Sequence, residues 1–282
     1  MRSILTDDYI SICSKVITRF EMAVKDILYQ PKGIFNSEML LVCAIAEQLG
    51  VNRIIESGRA RGYSTIVLAN YFRDENDLKI DSIENSKYTA DVVIAMKRLS
   101  GIRNVRLLFG DSFKLLTSLV SEEPCVVLID GPKGRWATLL ACMTLRNSNV
   151  KAVFIHDMHK ISDGRELTEK LFPDVFFTDD KKFVDRFESL DDECWLQQQM
   201  YKQFSGWAPY LRGSKIMPSY SSTLAMVVNE SHGIDKVEEC RQYMRDNSIK
   251  RAPISKRIFR KVRSQSKIPY WFVRYHLTKA FI

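Results

Sequence analysis

The sequence predicts an α/β protein built on a doubly wound, mostly parallel sheet, and three observations predict it. Short apolar runs alternate with helical patterns five times between residues 52 and 155. A glycine turn, "ESGRARG", follows the first run directly. A carboxylate stands at or just beyond the end of each of the five runs: Glu56, Glu84, Asp111, Asp130 and Asp157. Parallel strands need a crossover helix between them, so this alternation points to a parallel sheet covered by helices on both faces. In such sheets ligands bind beyond the carboxyl ends of the strands, where the strand order reverses. The row of acidic residues therefore marks the expected site.

Taken in order, residues 1–34 read as a helical N-terminal region. "SEMLLVCAIAEQLG" then opens on a serine suited to an N-cap and ends on Gly50, which delimits a buried helix. The strand runs are 52–56, 79–84, 105–109, 125–130 and 151–155. Between them Tyr88, Val92, Ala95, Met96 and Leu99 recur at spacings that share one helical face. "VFF" at 175–177 and "TLAMVV" at 223–228 read as antiparallel neighbours at the sheet edge, making seven strands. The main domain spans 35–232, with an insertion at about 178–222 that is too long for a bare connector. That insertion holds Trp195, Trp207, Tyr210, Arg212, Lys215 and Tyr220. Residues 233–282 form a further helix and a basic, aromatic tail.

The composition narrows the class. A chain of 282 residues with 45% hydrophobic content can bury the core of one full-sized domain and carry an appendage. Its six cysteines form no CxxC and lie largely in apolar runs, which argues against a zinc site and for a reducing compartment. Asp7 and Asp8 interrupt the N-terminus before a signal-length apolar core, and no run approaches the ~18 apolar residues of a membrane span. A cytoplasmic protein is expected. The net charge of +8 belongs to the tail: from Asn247 onward there are ten Lys or Arg and no acidic residue, while the first 246 residues carry 32 basic against 34 acidic.

The glycine turn defines the ligand class. Gly58 and Gly62 are four apart, which fits neither the GxGxxG of dinucleotide folds nor the GK[ST] ending of a P-loop. The pattern resembles instead the E/DxGxGxG loop of class I S-adenosylmethionine (SAM) methyltransferases, with Ala60 in place of the middle glycine. Together with "VVLIDGPKGRWATLLA" and "VFIHDMHK", it is similar to the branch that contains the cephalosporin hydroxylase and macrolide-sugar O-methyltransferase families. The resemblance covers roughly residues 35 to 230. It implies the Rossmann-like, seven-stranded class I methyltransferase fold and SAM as cofactor, bound through Glu56, Gly58, Gly62 and Ser64. SAM has no phosphates, so a helix N-terminus there serves to receive its carboxylate, while a carboxylate at the turn meets its positive charge. Glu84 is placed for two ribose hydroxyls, and Asp111 by resemblance for the adenine amino group.

In relatives of this kind a divalent metal is held by the aspartate after the fourth strand and an acidic pair after the fifth. Those positions read Asp130 and His156–Asp157 here. Two catalytic readings stay open: Asp130 and Asp157 position Mg²⁺ or Mn²⁺, or His156 is a general base with Asp157 orienting its ring. A purely structural His156 is the third. Lys133, in the tight turn "GPKG", is placed to orient an anionic or hydroxylated acceptor. Arg59 and Arg61 read as loop charges, one of them with the option of reaching the SAM carboxylate, and His159 as loop or surface.

The expected activity is methylation of a hydroxyl on a sugar, glycan or small metabolite. The insertion would cover the acceptor, with Trp207, Tyr210 and Tyr220 stacking on it, or else pack as an accessory hairpin. Two alternatives remain. One is a nucleic-acid methyltransferase using the basic tail, although the chain has no [DN]PPY-like stretch and its core is slightly acidic. The other is a SAM-fold protein without methyl transfer. In the tail, Ile254, Ile258 and Val262 lie four apart among basic residues and precede Tyr270, Trp271, Phe272 and Tyr275. That composition suits peripheral contact with an anionic membrane, or packing on the main domain or on a second subunit in a homo-oligomer.

Overall fold

A computed structural model describes residues 6–205 apart from 76 and 161, residues 223–229 and residues 235–248. The aromatics expected at 207, 210 and 220 and the basic tail beyond residue 248 lie outside the described residues.

The five central runs form β1 (Arg53–Ser57), β2 (Lys79–Glu84), β3 (Val105–Phe109), β4 (Cys125–Ile129) and β5 (Val150–Ile155). They pair in parallel. β6 (Phe176–Phe177) and β7 (Ala225–Val228) complete a seven-stranded sheet of order β3-β2-β1-β4-β5-β7-β6. Only β7 runs against its neighbours. This is the doubly wound, Rossmann-like sheet expected of the class I methyltransferase fold, with the order reversing between β1 and β4.

β4 and β5 read as near-continuous apolar runs because both faces are covered, whereas β1 and β2 carry buried polar residues, among them Arg53, Glu56, Asp81 and Ser82. Ile54, Ile80, Val126, Leu128 and Phe154 point into one apolar layer with α1 (Thr6–Val24), α2 (Asn36–Gln48) and α3 (Tyr63–Tyr71). Ile55, Ile83, Val127, Ile129 and Ile155 point into the other. There they meet α5 (Ser112–Leu119), α6 (Arg135–Leu145), α7 (Asp163–Leu171) and, after β7, the C-terminal α10 (Val237–Ser248). α4 (Ala90–Leu99) follows β2 and buries Val92, Ala95 and Leu99, the face that the sequence spacing marks out. Tyr88 and Met96, assigned to the same face, are exposed. Tyr88 lies before the helix begins, so the helical period does not apply to it.

The N-terminal helix α1 packs on α2 and α3 and contributes to the first apolar layer. The first half of the insertion is helical: α8 (Lys181–Phe187), a 3₁₀ turn (Glu188–Asp191) and α9 (Asp192–Ser205). Phe183, Phe187 and Cys194 are buried there, and Trp195 packs against the same core.

Candidate active site

The crevice begins where β1 and β4 end. The backbone N–H groups of Asp130 and Gly131 both donate to the Ser57 carbonyl, at 2.8 and 2.9 Å. That draws the two loops together until a β-carbon on Gly58 would stand 2.6 Å from the Gly131 nitrogen. Gly58 also has a φ of +86°. Only glycine fits both demands.

The loop then turns through Ala60, at φ +43°, and enters α3 at Gly62, at φ +76°. Among the described residues no side chain caps α3, which leaves its first-turn N–H groups for a ligand or water. Glu84, at the end of β2, holds the loop. Its Oε2 accepts from the Ala60 N–H at 3.2 Å and its Oε1 from the Asn85 N–H at 2.8 Å. A carboxylate has about four acceptor positions, so two remain for ligand hydroxyls. Asp111 follows β3 and caps α5 by accepting from the Phe113 N–H at 3.0 Å.

Glu56 lies deeper than the sequence suggests. It is fully buried and accepts hydrogen bonds from Ser64, from Thr65 at 2.5 Å and from Ser82 at 2.6 Å. Burial pushes its pKa up, against those hydroxyls, which pull it down. Glu56 and Ser64 thus brace the start of α3 from below, because β1 directs the Glu56 side chain into the interior.

Arg59, read as a loop charge, is also buried. The unusual backbone on both sides of it folds the side chain under the ends of β2 and β3. There it donates to the carbonyls of Ser82 and, at 3.3 Å, Leu108, and lies 4.6 Å from the centre of the Phe109 ring. Arg61 does stay at the rim, paired with Asp91 at 2.7 Å.

Across the crevice, the ends of β4 and β5 gather Asp130, Lys133, His156 and Asp157. The Lys133 ammonium pairs with Asp130 and, at 2.8 Å, with Asp157. His156 Nδ1 lies 2.5 Å from Asp130 Oδ1 but 3.7 Å from Asp157. The ring is therefore oriented by Asp130 and not by Asp157, whose backbone at φ +63° turns its carboxylate toward Lys133.

Burial disfavours a charge on His156, yet Asp157, Asp130 and Glu38 together raise its pKa well above that of an ordinary histidine. Burial likewise opposes the Lys133 charge, and Asp130 and Asp157 overcome it, raising that pKa as well. Burial would raise the pKa of Asp157, but His156 and Lys133 hold it below the usual carboxylate range. His159, expected on the surface, is partly buried with Nε2 3.7 Å from Asp157, and burial lowers its pKa.

Glu38 escaped the sequence reading. It sits in the first turn of α2, fully buried, with Oε2 accepting from the Phe35 N–H at 3.1 Å and facing His156 Nε2 at 3.5 Å. A carboxylate inside an otherwise apolar buried run was the available signal. Asp191, from the insertion, fixes that helix end by accepting from the Ser37 N–H at 2.7 Å and meeting its hydroxyl at 2.6 Å.

Asp130, His156 and Asp157 bring two oxygens and a nitrogen within 4.8 Å of one another, a donor set of the kind a divalent ion asks for. In the folded chain those atoms are already engaged. The Lys133 ammonium lies between the carboxylates, and the histidine nitrogen is directed at Asp130. As it stands, the arrangement holds an ammonium between the two carboxylates.

No protein-family model matches the sequence, and no curated protein matches it significantly. Solved structures similar to the chain include the O-methyltransferase TomG from Streptomyces achromogenes, in complex with SAM. That match has 16% identity and a TM-score of 0.41, over 77% of this chain and 89% of the other. An O-methyltransferase from Bacillus cereus in complex with SAH is similar at 17% identity and a TM-score of 0.40, over 77% of this chain and 90% of the other. At such identities, and with TM-scores under 0.5, the likeness assigns this chain no role.

Proposed function

We propose that the chain is a SAM-dependent methyltransferase that methylates a hydroxyl oxygen of a small acceptor, such as a sugar, a glycan-linked group or a metabolite. The observation that carries this reading is the glycine loop at the strand-order reversal. It is closed onto β4 by Gly58, pinned by Glu84 through Ala60 and followed by an uncapped α3. A ligand with a carboxylate and a vicinal diol is complementary to it. The α3 amides receive the carboxylate, Glu84 accepts from the diol, and Asp111 is placed for a base amino group. Glu56 braces the start of α3 beneath the loop through Ser64 and Thr65.

When bound, SAM would supply an electrophilic methyl group on a sulfonium sulfur, whose S–CH3 bond breaks with the electron pair left on sulfur as a neutral thioether. Lys133 and His156, favoured in their charged forms, are hydrogen-bond donors at this site and not bases. Lys133 orients the acceptor oxygen, and Asp130 beside it takes up the hydroxyl proton as the C–O bond forms. Orientation of the reactants and charge stabilisation are then the main catalytic contributions.

The reading is tested by calorimetry with SAM, wild type against Glu84→Ala. Loss of charge-assisted bonds worth about 1.5–3 kcal/mol each weakens affinity roughly tenfold to more than a hundredfold. Absence of SAM binding by the folded wild type overturns the proposal. Equal affinity of the two proteins overturns the role of Glu84.

A further inference from the structure

We infer that Lys133 is the resident cation of this site: its ammonium holds the place between Asp130 and Asp157 that a divalent ion would take, and it presents one N–H to a single acceptor oxygen. Three contacts stand in a metal's way. The ammonium pairs with Asp130, it pairs with Asp157 at 2.8 Å, and His156 Nδ1 faces Asp130 at 2.5 Å. A ring nitrogen that donates to a carboxylate has no lone pair to give a metal. Both Asp130 contacts fall on Oδ1, so the ammonium and the ring would have to turn away before that oxygen, the Asp157 carboxylate and the ring nitrogen met a common ion.

The lysine is not a loosely held substituent. It follows Asp130 by three residues in the turn that leads to Gly134, and Gly164 of α7 packs so closely on Gly134 that a β-carbon there would lie 2.8 Å from its carbonyl carbon. α7 therefore backs the turn that carries the ammonium.

The consequence is chemical. A divalent ion with open coordination positions can chelate two adjacent oxygens and so selects vicinal hydroxyls. An ammonium has three N–H groups, and two are used by Asp130 and Asp157. His156 Nδ1 also lies 3.5 Å from the ammonium, but it is turned to Asp130 at 2.5 Å, so the half-exposed Lys133 side chain offers its third N–H to one oxygen. The acceptor class is thus an isolated hydroxyl, with no chelating neighbour required. This acceptor statement rests on the methyl-transfer reading; the cation assignment does not.

The test is Mn²⁺ binding by the full chain after EDTA treatment, followed by the electron paramagnetic resonance signal of the free ion and by thermal unfolding. The wild type is expected to leave the signal undiminished and its Tm unmoved up to about 1 mM Mn²⁺. Lys133→Met, which removes the ammonium and keeps the stem, is expected to bind one Mn²⁺ at least ~tenfold more tightly than wild type. One-to-one uptake by the wild type below about 100 µM, abolished by Asp130→Asn, overturns the inference, as does a folded Lys133→Met with no gain. If Lys133→Met does not fold, Lys133→Gln serves that arm, and the wild-type titration decides on its own. None of these measurements uses SAM, so a failure here is distinct from a failure of the proposed activity.

Discussion

Replacing Gly58 by alanine tests whether the meeting of β1 and β4 builds the site. Two costs are expected. The first is conformational: φ is +86°, and a β-carbon in the left-handed region costs about 1–2 kcal/mol. The second is steric, since that carbon would lie 2.6 Å from the Gly131 nitrogen and 3.0 Å from the Asp130 carbonyl carbon. Both are backbone atoms and cannot rotate away. The loops must separate by several tenths of an ångström, which strains the two hydrogen bonds from Asp130 and Gly131 to Ser57, each worth about 1 kcal/mol. A total loss of roughly 3–4 kcal/mol follows. Gly50 supplies the control, with φ +60° and nothing within 4 Å of the position a β-carbon would take; Gly50→Ala carries the conformational cost alone. Urea unfolding of both variants separates the contributions, with Gly58→Ala expected to lose about 2 kcal/mol more. Losses equal within about 0.5 kcal/mol would refute the close-approach argument.

Arg53→Ala should lose about 3 kcal/mol in the same assay, because it strips the buried Asp81 carboxylate of its partner at 2.5 Å and leaves it Arg106 alone. A loss under about 1 kcal/mol would show that the buried pair contributes little. Asp191→Asn tests a titration. Burial pushes the Asp191 carboxyl up to about 8, so the folded chain keeps a proton that the unfolded chain releases. The stability from this group is full below the unfolded pKa near ~3.9 and is lost as pH rises to about 8, at up to ~1.4 kcal/mol per unit. The asparagine variant should lack that decline between pH 5 and 8. An unchanged slope would place the ionised carboxylate in the native state.

The fold was legible in the sequence because short strand runs with apolar centres alternate regularly with helical periods, as parallel strands and their crossovers must. The strand-end rule then marked Glu56, Glu84, Asp111, Asp130 and Asp157 without any knowledge of their contacts. The direction of each side chain was not legible. Glu56 and Arg59 lie in one polar loop motif, yet the chain buries both, because φ values of +86° and +43° on either side of Arg59 aim it under β2 and β3. Glu38 lies 118 residues before His156, and Asp191 lies 154 residues from the Ser37 it binds. No local pattern records such pairs, since they arise only when α2 and the insertion pack on the same face of the sheet. The same holds for Lys133. Its type and spacing are written in "DGPKG", but its place between two carboxylates depends on β4 and β5 ending side by side.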